Sequence, residues 1–480
     1  MAALAAILVP SSLPAQITFQ RTYGDSWDDA GYSVQQTADG GYVAVGHTDP
    51  TGAGEYDIYL VKTDSAGEVL WTKTYGGADY DEAQGVQQTT DGGYIITGYT
   101  WSFGAGEDDL YLVKTDSLGD TIWTRCYGGT DTDRGMCVRQ TSDGGYIVAG
   151  VTGSFGAGQY DVYLVKTDAC GDTSWTRTFG GTFYDEGTSV RQTADSGFIV
   201  TGSRGFTGPI QYDVYLIRTK ANGDTLWTRT YGGVEWEAGS AVRPTADGGY
   251  IVIGTTDSYG AGGTDMFVVK ADSNGDTLWT RAYGGTEGEE GRSVLQTFDG
   301  GYISVGQTLS LGAGGWDIYL VKTSANGDTR WTKTIGGVGH DIGWSVEETA
   351  DTGLIIIGFT TSFGAGHADM YMVKTDSLGN VAVAEPKANP TRASALSLSC
   401  EPNPVVGTTT IRTSYIVPRS SLAIYDAQGR CVRSFSLLSS PSSLTWDGRD
   451  DRDQMLPSGT YFLRLGAAGQ HATARIVLQR

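Results

Sequence analysis

A tryptophan returns every 52 residues, at Trp71, Trp123, Trp175, Trp227, Trp279 and Trp331. Around it one phrase repeats almost unchanged, read at 223–233 as Gly-Asp-Thr-Leu-Trp-Thr-Arg-Thr-Tyr-Gly-Gly. A fixed period of this size restricts a chain to a propeller, a solenoid or another array. Within one period there are four short runs rich in β-branched and aromatic residues, separated by Asp/Gly turns. In the first copy they are a (33–37), b (42–47), c (57–63) and d (69–75). No helical periodicity intervenes, and the a–b and c–d connections have hairpin length, so each copy predicts four antiparallel strands, the content of one propeller blade.

The copy number follows from two markers. The a–b turn begins at Asp39, Asp91, Asp143, Asp195, Asp247, Asp299 and Asp351, and strand c begins at Asp57, Asp109, Asp161, Asp213, Asp265, Asp317 and Asp369. The seventh copy has no tryptophan in its d slot, which holds Val383, whereas the N-terminal run 17–24 is a d strand without a copy of its own. Joining these remnants closes a ring and removes two exposed sheet edges. The expectation is an all-β chain: a seven-bladed β-propeller over 17–384, closed by the N-terminal strand. The Trp segment is similar to the blade motif of quinoprotein-type propellers. That resemblance covers strands c and d of each copy, implies a packing role for the tryptophan, and implies no quinone cofactor.

The repeat ends near Asn380. A polar, Pro-containing linker, 385–397, leads into a region with Pro402-Asn-Pro404, Leu422-Ala-Ile-Tyr-Asp-Ala-Gln-Gly-Arg430, Trp446-Asp-Gly-Arg-Asp450 and Pro457-Ser-Gly-Thr-Tyr-Phe-Leu-Arg-Leu465. On these motifs, 398–480 resembles the C-terminal sorting domain of type IX secretion substrates, an Ig-like β-sandwich related to the Ig domain of the flagellar hook-capping protein. Asp453 stands where that pattern leads one to expect glycine in the turn. The resemblance implies export by the type IX secretion machinery to the medium or the outer-membrane surface of a Gram-negative bacterium. Residues 1–16 read as a signal peptide whose apolar part is Ala2–Val9, without the usual basic leader.

Charge narrows the function classes. The chain has 33 basic and 55 acidic residues, a net −22. Residues 385–480 hold 11 basic and 7 acidic, so the repeats carry −26. Such a surface repels a phosphate backbone, which argues against nucleic acid as a partner. No 18-residue apolar run is present to form a spanning helix. The five cysteines (Cys126, Cys137, Cys170, Cys400, Cys431) do not follow the period; in an oxidising compartment Cys126 with Cys137, or Cys400 with Cys431, could pair.

No Gly-x-Ser-x-Gly, His-Glu-x-x-His or phosphate-loop motif occurs. The histidines, His47, His340, His367 and His471, do not repeat; His340 and His367, next to Asp341 and near Asp369, are the one His/Asp grouping within a copy. The c–d turns, such as Asp272-Ser-Asn-Gly-Asp276, resemble the start of a calcium loop but lack its closing Glu, and Asp/Gly turns need no metal. Calcium is therefore the one cofactor left open.

The d–a loop carries an acid in all seven copies: Asp29, Asp81, Asp133, Asp185, Glu237, Glu289 and Asp341. Beside it, and before the strand-c aspartate in the b–c loop on the same face, large aromatics vary from copy to copy. Identical scaffolds with variable aromatics on one rim are how a repeat protein presents a binding face. The candidate site is this rim: Trp27, Tyr80, Tyr184, Trp236, Trp316 and Trp344, with Asp29, Asp81 and Asp185 as polar neighbours. Tyr and Trp beside carboxylates suit a glycan or a peptide. The expected function is a non-catalytic binding or scaffold propeller; the alternative is an enzyme acting on polysaccharide through paired funnel carboxylates.

Overall fold

The computed structural model describes residues 16–49, 55–206 and 211–381, and in the C-terminal part 398–401, 403–405, 407–413, 421–426, 430–436, 443–467 and 470–479. The expected linker, and the expected signal peptide up to residue 15, lie outside the described residues. The chain divides into two compact units, 1–387 and 388–480. Both are all-β.

The first unit contains seven four-stranded antiparallel sheets, consistent with propeller blades. Sheet 1 is Asp29–Gln36, Tyr42–Thr48, Asp57–Thr63 and Val69–Tyr75, and the next five repeat it. Sheet 7 takes three strands from Asp341–Glu348, Leu354–Thr360 and Asp369–Thr375, and its fourth is Phe19–Tyr23, paired antiparallel with Phe19 opposite Lys374 and Tyr23 opposite Met370. Strand a starts four residues earlier than its sequence suggests. A bulge between Gly31 and Ser33, repeated in all seven copies, breaks the two-residue alternation that marks a strand. The acid expected in the d–a loop is therefore the first residue of the inner strand.

Three contacts hold one sheet to the next, the aromatic pair at every junction but that of sheets 6 and 7, where Trp331 packs against Leu354, and all three recur where the last meets the first. The Trp71 ring lies edge-on to Tyr94 of the following sheet at 5.9 Å, and Trp123–Tyr146, Trp175–Phe198, Trp227–Tyr250 and Trp279–Tyr302 repeat this at 5.9–6.0 Å. Phe19, in the tryptophan slot of sheet 7, meets Tyr42 of sheet 1 at 5.9 Å. The same ring covers the c–d turn glycine of the next sheet. A Cβ at Gly119 would lie 2.8 Å from Trp71, and one at Gly67 2.7 Å from Phe19. These glycines have φ of +78° and +76°, so contact and backbone both require glycine. Finally, the amides of Asp81, Asp133, Asp185, Glu289 and Asp341 donate to a carbonyl of the preceding sheet, and Asp29 donates to Ala368 O at 2.8 Å.

Within each sheet a basic residue of strand c reaches the a–b turn. The nearly buried Lys62 ammonium lies 2.9 Å from Asp39, and Lys114, Lys166, Arg218, Lys270, Lys322 and Lys374 meet Asp91, Asp143, Asp195, Asp247, Asp299 and Asp351 in the same way. The inner-strand valines from Val34 to Val346 are buried.

The second unit has a three-stranded sheet (Leu398–Glu401, Thr409–Thr413, Ser443–Trp446) and a four-stranded one (Cys431–Ser436, Ser421–Tyr425, Gly459–Ala467, Gln470–Leu478). Its core gathers Ile411, Leu422, Ile424, Trp446, Tyr461, Leu463 and Ile476. Asp453 has φ +60°, the left-handed conformation for which glycine was expected, and Asp450 holds the turn by accepting the Arg452 and Gln454 amides. All five cysteines are free, so neither suggested pair forms.

The closing strand has a direct test. Phe19→Ala removes a buried ring from the seam and should lower the unfolding free energy by about 3 kcal/mol, read from urea midpoints at constant m-value. An unchanged midpoint would mean that 19–23 does not close the ring.

Candidate functional site

The bulge in each inner strand decides what stands at its mouth. The extra residue is unpaired, and a bulge re-aims its side chain. These residues are Tyr32, Gln84, Met136, Thr188, Ser240, Arg292 and Trp344. They differ in every copy, whereas the valine two residues on is the same in all seven.

From them an aromatic arc extends through sheets 7, 1 and 2. Trp344 meets Tyr32 edge-on at 5.3 Å, Tyr32 meets His47 at 5.6 Å, and His47 stacks on Tyr56 at 4.2 Å. Tyr56 meets Tyr80 at 4.8 Å, and Tyr80 stacks parallel to Tyr99 at 6.2 Å. A shorter arc joins Tyr160, Tyr184 and Tyr212 at 5.1 and 6.1 Å. Cations cap both ends of the longer arc: Arg292 lies 4.1 Å over Trp344 and Arg134 4.6 Å over Tyr99.

Carboxylates sit among these rings, one residue beyond the repeated acid. Glu82 accepts the Tyr80 hydroxyl at 3.2 Å, and lies 3.4 Å from His47. Glu186 accepts Tyr184 and Ser203, each at 3.2 Å. Burial raises the Glu186 carboxyl above its ordinary range, and those two hydrogen bonds oppose the rise. Glu290 pairs with Arg292, and Arg134 pairs with Asp108. The indole Nε1 of Trp344 is buried without a hydrogen-bond partner.

Of the residues expected on the rim, Tyr80, Tyr184 and Trp344 belong to these arcs. Trp27 stands apart, exposed and edge-on to His367 at 6.3 Å. Trp316 packs over Gly288, and Trp236 is half-buried. Sequence reasoning missed His47, Glu82, Tyr99, Arg134 and Glu186, and also Trp101, 55% exposed on a b–c loop. The signal was present in four slots whose residues change from copy to copy: the one after the repeated acid, the bulge, the sixth residue of strand b, and the first residue of the b–c loop.

The acids Asp29, Asp81 and Asp185 are closed off from solvent. Asp81 Oδ2 accepts the Gly77 amide at 2.7 Å and the Ser102 hydroxyl at 2.7 Å; Asp185 accepts Gly181 N at 2.7 Å, and Asp29 accepts Asp25 N at 2.8 Å. They set the loops that carry the aromatics. Asp81 and Asp185 each pack with a strand-c aspartate around the first glycine of the Gly-Gly step: a Cβ at Gly76 would lie 2.0 Å from Asp57 and 2.7 Å from Asp81. The histidines of copy seven do not share a site: His340 accepts the Trp316 amide and His367 faces Asp28 at 3.9 Å. In the c–d turns the leading carboxylate takes amide hydrogens, Asp272 from Asn274 and Asp276.

The opposite face is less uniform than its turns suggest. A Gln or Glu in the last slot of strand a accepts the a–b turn amide of the preceding sheet, as Gln88 does from Ala38 and Gln36 from Ala350 across the seam. Pro244 occupies this slot in copy five. There, between sheets 4 and 5, a groove of about 460 Å³ opens along Ala194, Leu226, Trp227, Pro244 and Tyr250.

Comparison with known proteins adds the following. The FlgD Ig-like domain family matches residues 407–470, so the chain carries a domain of that kind at its C-terminal end. The regulatory protein FlaEY of Caulobacter vibrioides is 24% identical over 292 residues, 50% of this chain and 30% of that protein, so the chain spans under a third of that relative's length. Among solved structures, PorZ, a bacterial surface component of the type-IX secretion system of Porphyromonas gingivalis, matches 95% of this chain and 60% of its own, with 11% identity and a TM-score of 0.41. A fungal alcohol oxidase of the AA5 family in complex with copper matches 96% and 98%, with 13% identity and a TM-score of 0.44. Puromycin hydrolase matches 83% and 62%, with 15% identity and a TM-score of 0.46. At such values none of these structures carries an argument about function here.

The buried and the latched acids give opposite pH dependences. Burial raises Asp29 and Asp185 to about 6, and burial with the Asp29 charge raises Asp369 to about 7, from 3.8. Their ionisation opposes folding, so stability should rise as pH falls from about 7 to about 4. Hydrogen bonds from Thr, the strand-c cation and the turn amide outweigh burial at Asp39, Asp195 and Asp247 and hold each near 2. That stabilisation should disappear as pH falls from about 4 to about 2. Denaturant midpoints from pH 8 to 2.5 should therefore peak between about pH 4 and 5, and Asp369→Asn should flatten the limb above the peak. A monotonic fall from pH 8 to 4 would contradict this assignment.

Proposed function

We propose that the seven sheets are the blades of a closed seven-bladed β-propeller, and that the protein is an exported, non-catalytic binding or scaffold module. The ligand-binding face is the rim of the d–a and b–c loops, with Tyr80, Tyr184 and Trp344 in its aromatic arcs and Trp27, Trp236 and Trp316 on the surrounding loops. The observation that carries this reading is asymmetry. The contacts that build the scaffold repeat in copy after copy, while the bulge residues differ in every copy and converge with rings and charges on one mouth. Rigid aromatic surface edged by Glu82, Glu186 and Arg134 suits a glycan or a peptide. Asp29, Asp81 and Asp185 act through the loops they hold rather than by touching ligand.

Glycan and peptide arrays probed with the full chain, with and without calcium, would identify the ligand class and decide the calcium question. Against the ligand so found, Tyr80→Ala and Trp344→Ala should each weaken binding about thirtyfold, the loss of an anchor worth ~2 kcal/mol. Leu378→Ala, on an exposed c–d turn of the opposite face, should leave affinity unchanged. Equal affinity in all three variants, with circular dichroism unaltered, would place the ligand elsewhere.

Export rests on the C-terminal unit. Its FlgD-type Ig-like domain and the resemblance of 398–480 to type IX sorting domains support delivery by that machinery to the cell surface or the medium. Deleting 398–480 should retain the protein in the periplasm of a type IX-competent host, as fractionation and immunoblotting would report. Undiminished appearance in the medium would assign this domain another role.

A further inference from the structure

One slot of the inner strand breaks the repeat more sharply than any aromatic. Reading around the ring, it holds Gln35, Gln87, Arg139, Arg191, Arg243, Leu295 and Glu347. Three consecutive arginines thus stand on three adjacent inner strands, Asp133–Gln140, Asp185–Gln192 and Glu237–Pro244.

These side chains lie in the space that the inner strands enclose. Arg243 Nη2 is 3.0 Å from Glu347 Oε1, although their strands are separated by a third inner strand, Glu289–Gln296. A pair between non-adjacent inner strands crosses the interior of the ring. Arg191 reaches sideways to the neighbouring strand, with Nη1 3.3 Å from the Cys137 thiol.

Their hydrogen bonding is incomplete. Each guanidinium has five N–H donors. Arg139 donates to Val138 O at 2.7 Å, and Arg191 to Val190 O at 2.7 Å. The Nε groups of Arg191 and Arg243 are buried without a partner. Of the seven residues in this layer only Glu347 is acidic, so three positive charges face one carboxylate; beside them, against burial, Arg139 and Arg191 draw the Cys137 thiol down to about 7. Burial, and then the charges of Arg139 and Arg243, drive the Arg191 guanidinium well below its ordinary pKa. An arginine does not relieve such stress by losing a proton. A counter-anion relieves it.

We propose that Arg139, Arg191 and Arg243 form an anion-binding site inside the ring, specific for a tetrahedral oxyanion, phosphate or sulfate, free or as the terminal group of a larger molecule. The guanidinium fork matches two oxygens of such a group at once, and three forks supply more charge than a halide or a single carboxylate balances. The unpartnered Nε groups are donors held ready for it. The site sits in a part of the chain carrying −26 overall, so the cluster runs against the charge around it.

The test is isothermal titration of the full-length protein in sodium chloride at constant ionic strength with sodium sulfate, sodium phosphate, glucose 6-sulfate or glucose 6-phosphate. One saturable site below ~1 mM is expected for at least one inorganic oxyanion. Binding of the sugar esters as well would show that the site takes a terminal group, and exclusion of them would show that it takes the free ion. Arg191→Gln should weaken the binding by roughly 10- to 100-fold, the loss of a charge-assisted contact. Its anion-free thermal midpoint should rise or hold, because a repelled charge is gone; this separates lost binding from lost folding. Arg452→Gln, on an exposed turn of the C-terminal unit, should bind as the parent does. Absence of saturable binding in all four titrations, or equal affinity in Arg191→Gln and the parent, would overturn the proposal.

Discussion

The fold depends on one contact repeated around the sheets: an aromatic ring on strand d packed against the next sheet's c–d glycine and, at six of the seven junctions, edge-on against the first aromatic of that sheet's strand b. A buried aromatic pair of this kind contributes about 0.5–1.5 kcal/mol beyond the area it removes from water. More important is its geometry. Because the ring meets a glycine in the left-handed conformation at all seven junctions, it sets the distance and turn between neighbouring sheets. The 52-residue step without insertion is the covalent record of that constraint. Phe19 obeys it as a substitute, since a phenyl ring reaches Tyr42 at the same 5.9 Å as the indoles reach their partners.

Charge serves the same architecture in two ways. Along strand c, buried cations reach half-exposed aspartates and tie each a–b hairpin to its own sheet. At the other ends of the strands, buried aspartates and glutamates accept amide hydrogens and hold the loops. The first set is stabilised by being ionised; in the second, Asp29 and Asp185 are ionised at a cost, which the amide donors only partly offset. Both sets are laid out with the same period as the rings.

Function, on this reading, resides where the period fails. The period fails at the bulge, at the position after the repeated acid and at the inner-strand slot of Gln35 and its equivalents, whose side chains change from copy to copy while the strand-d ring and the c–d glycine recur. Those positions hold Trp344, Tyr32, Arg292, Glu82, Arg134 and Glu186 at the mouth, and three arginines deeper in. Pro244 is a further break, on the other face, where loss of one glutamine latch coincides with a groove. A repeat protein can vary such positions copy by copy without altering its stability ledger much, which is why binding surfaces collect there.

The sequence by itself determined the repeat, its length, the four strands in each copy, the buried valines and the pairing of the N-terminal strand with the seventh copy. Each follows from local signals: Asp/Gly turns, β-branched runs and a constant step. It also located Tyr80, Tyr184 and Trp344 on one rim, because loops of one kind must share a face. It did not reveal that Asp29, Asp81 and Asp185 are buried inside strands, because the bulge at residue 32 and its equivalents hides the first turn of the strand from period-two reading. Nor did it join Tyr32 to Trp344, or Arg243 to Glu347: these residues are hundreds or a hundred positions apart, and only closure of the ring makes them neighbours. Periodicity reports what every copy does alike. Which exceptions meet one another is decided by the circle in three dimensions.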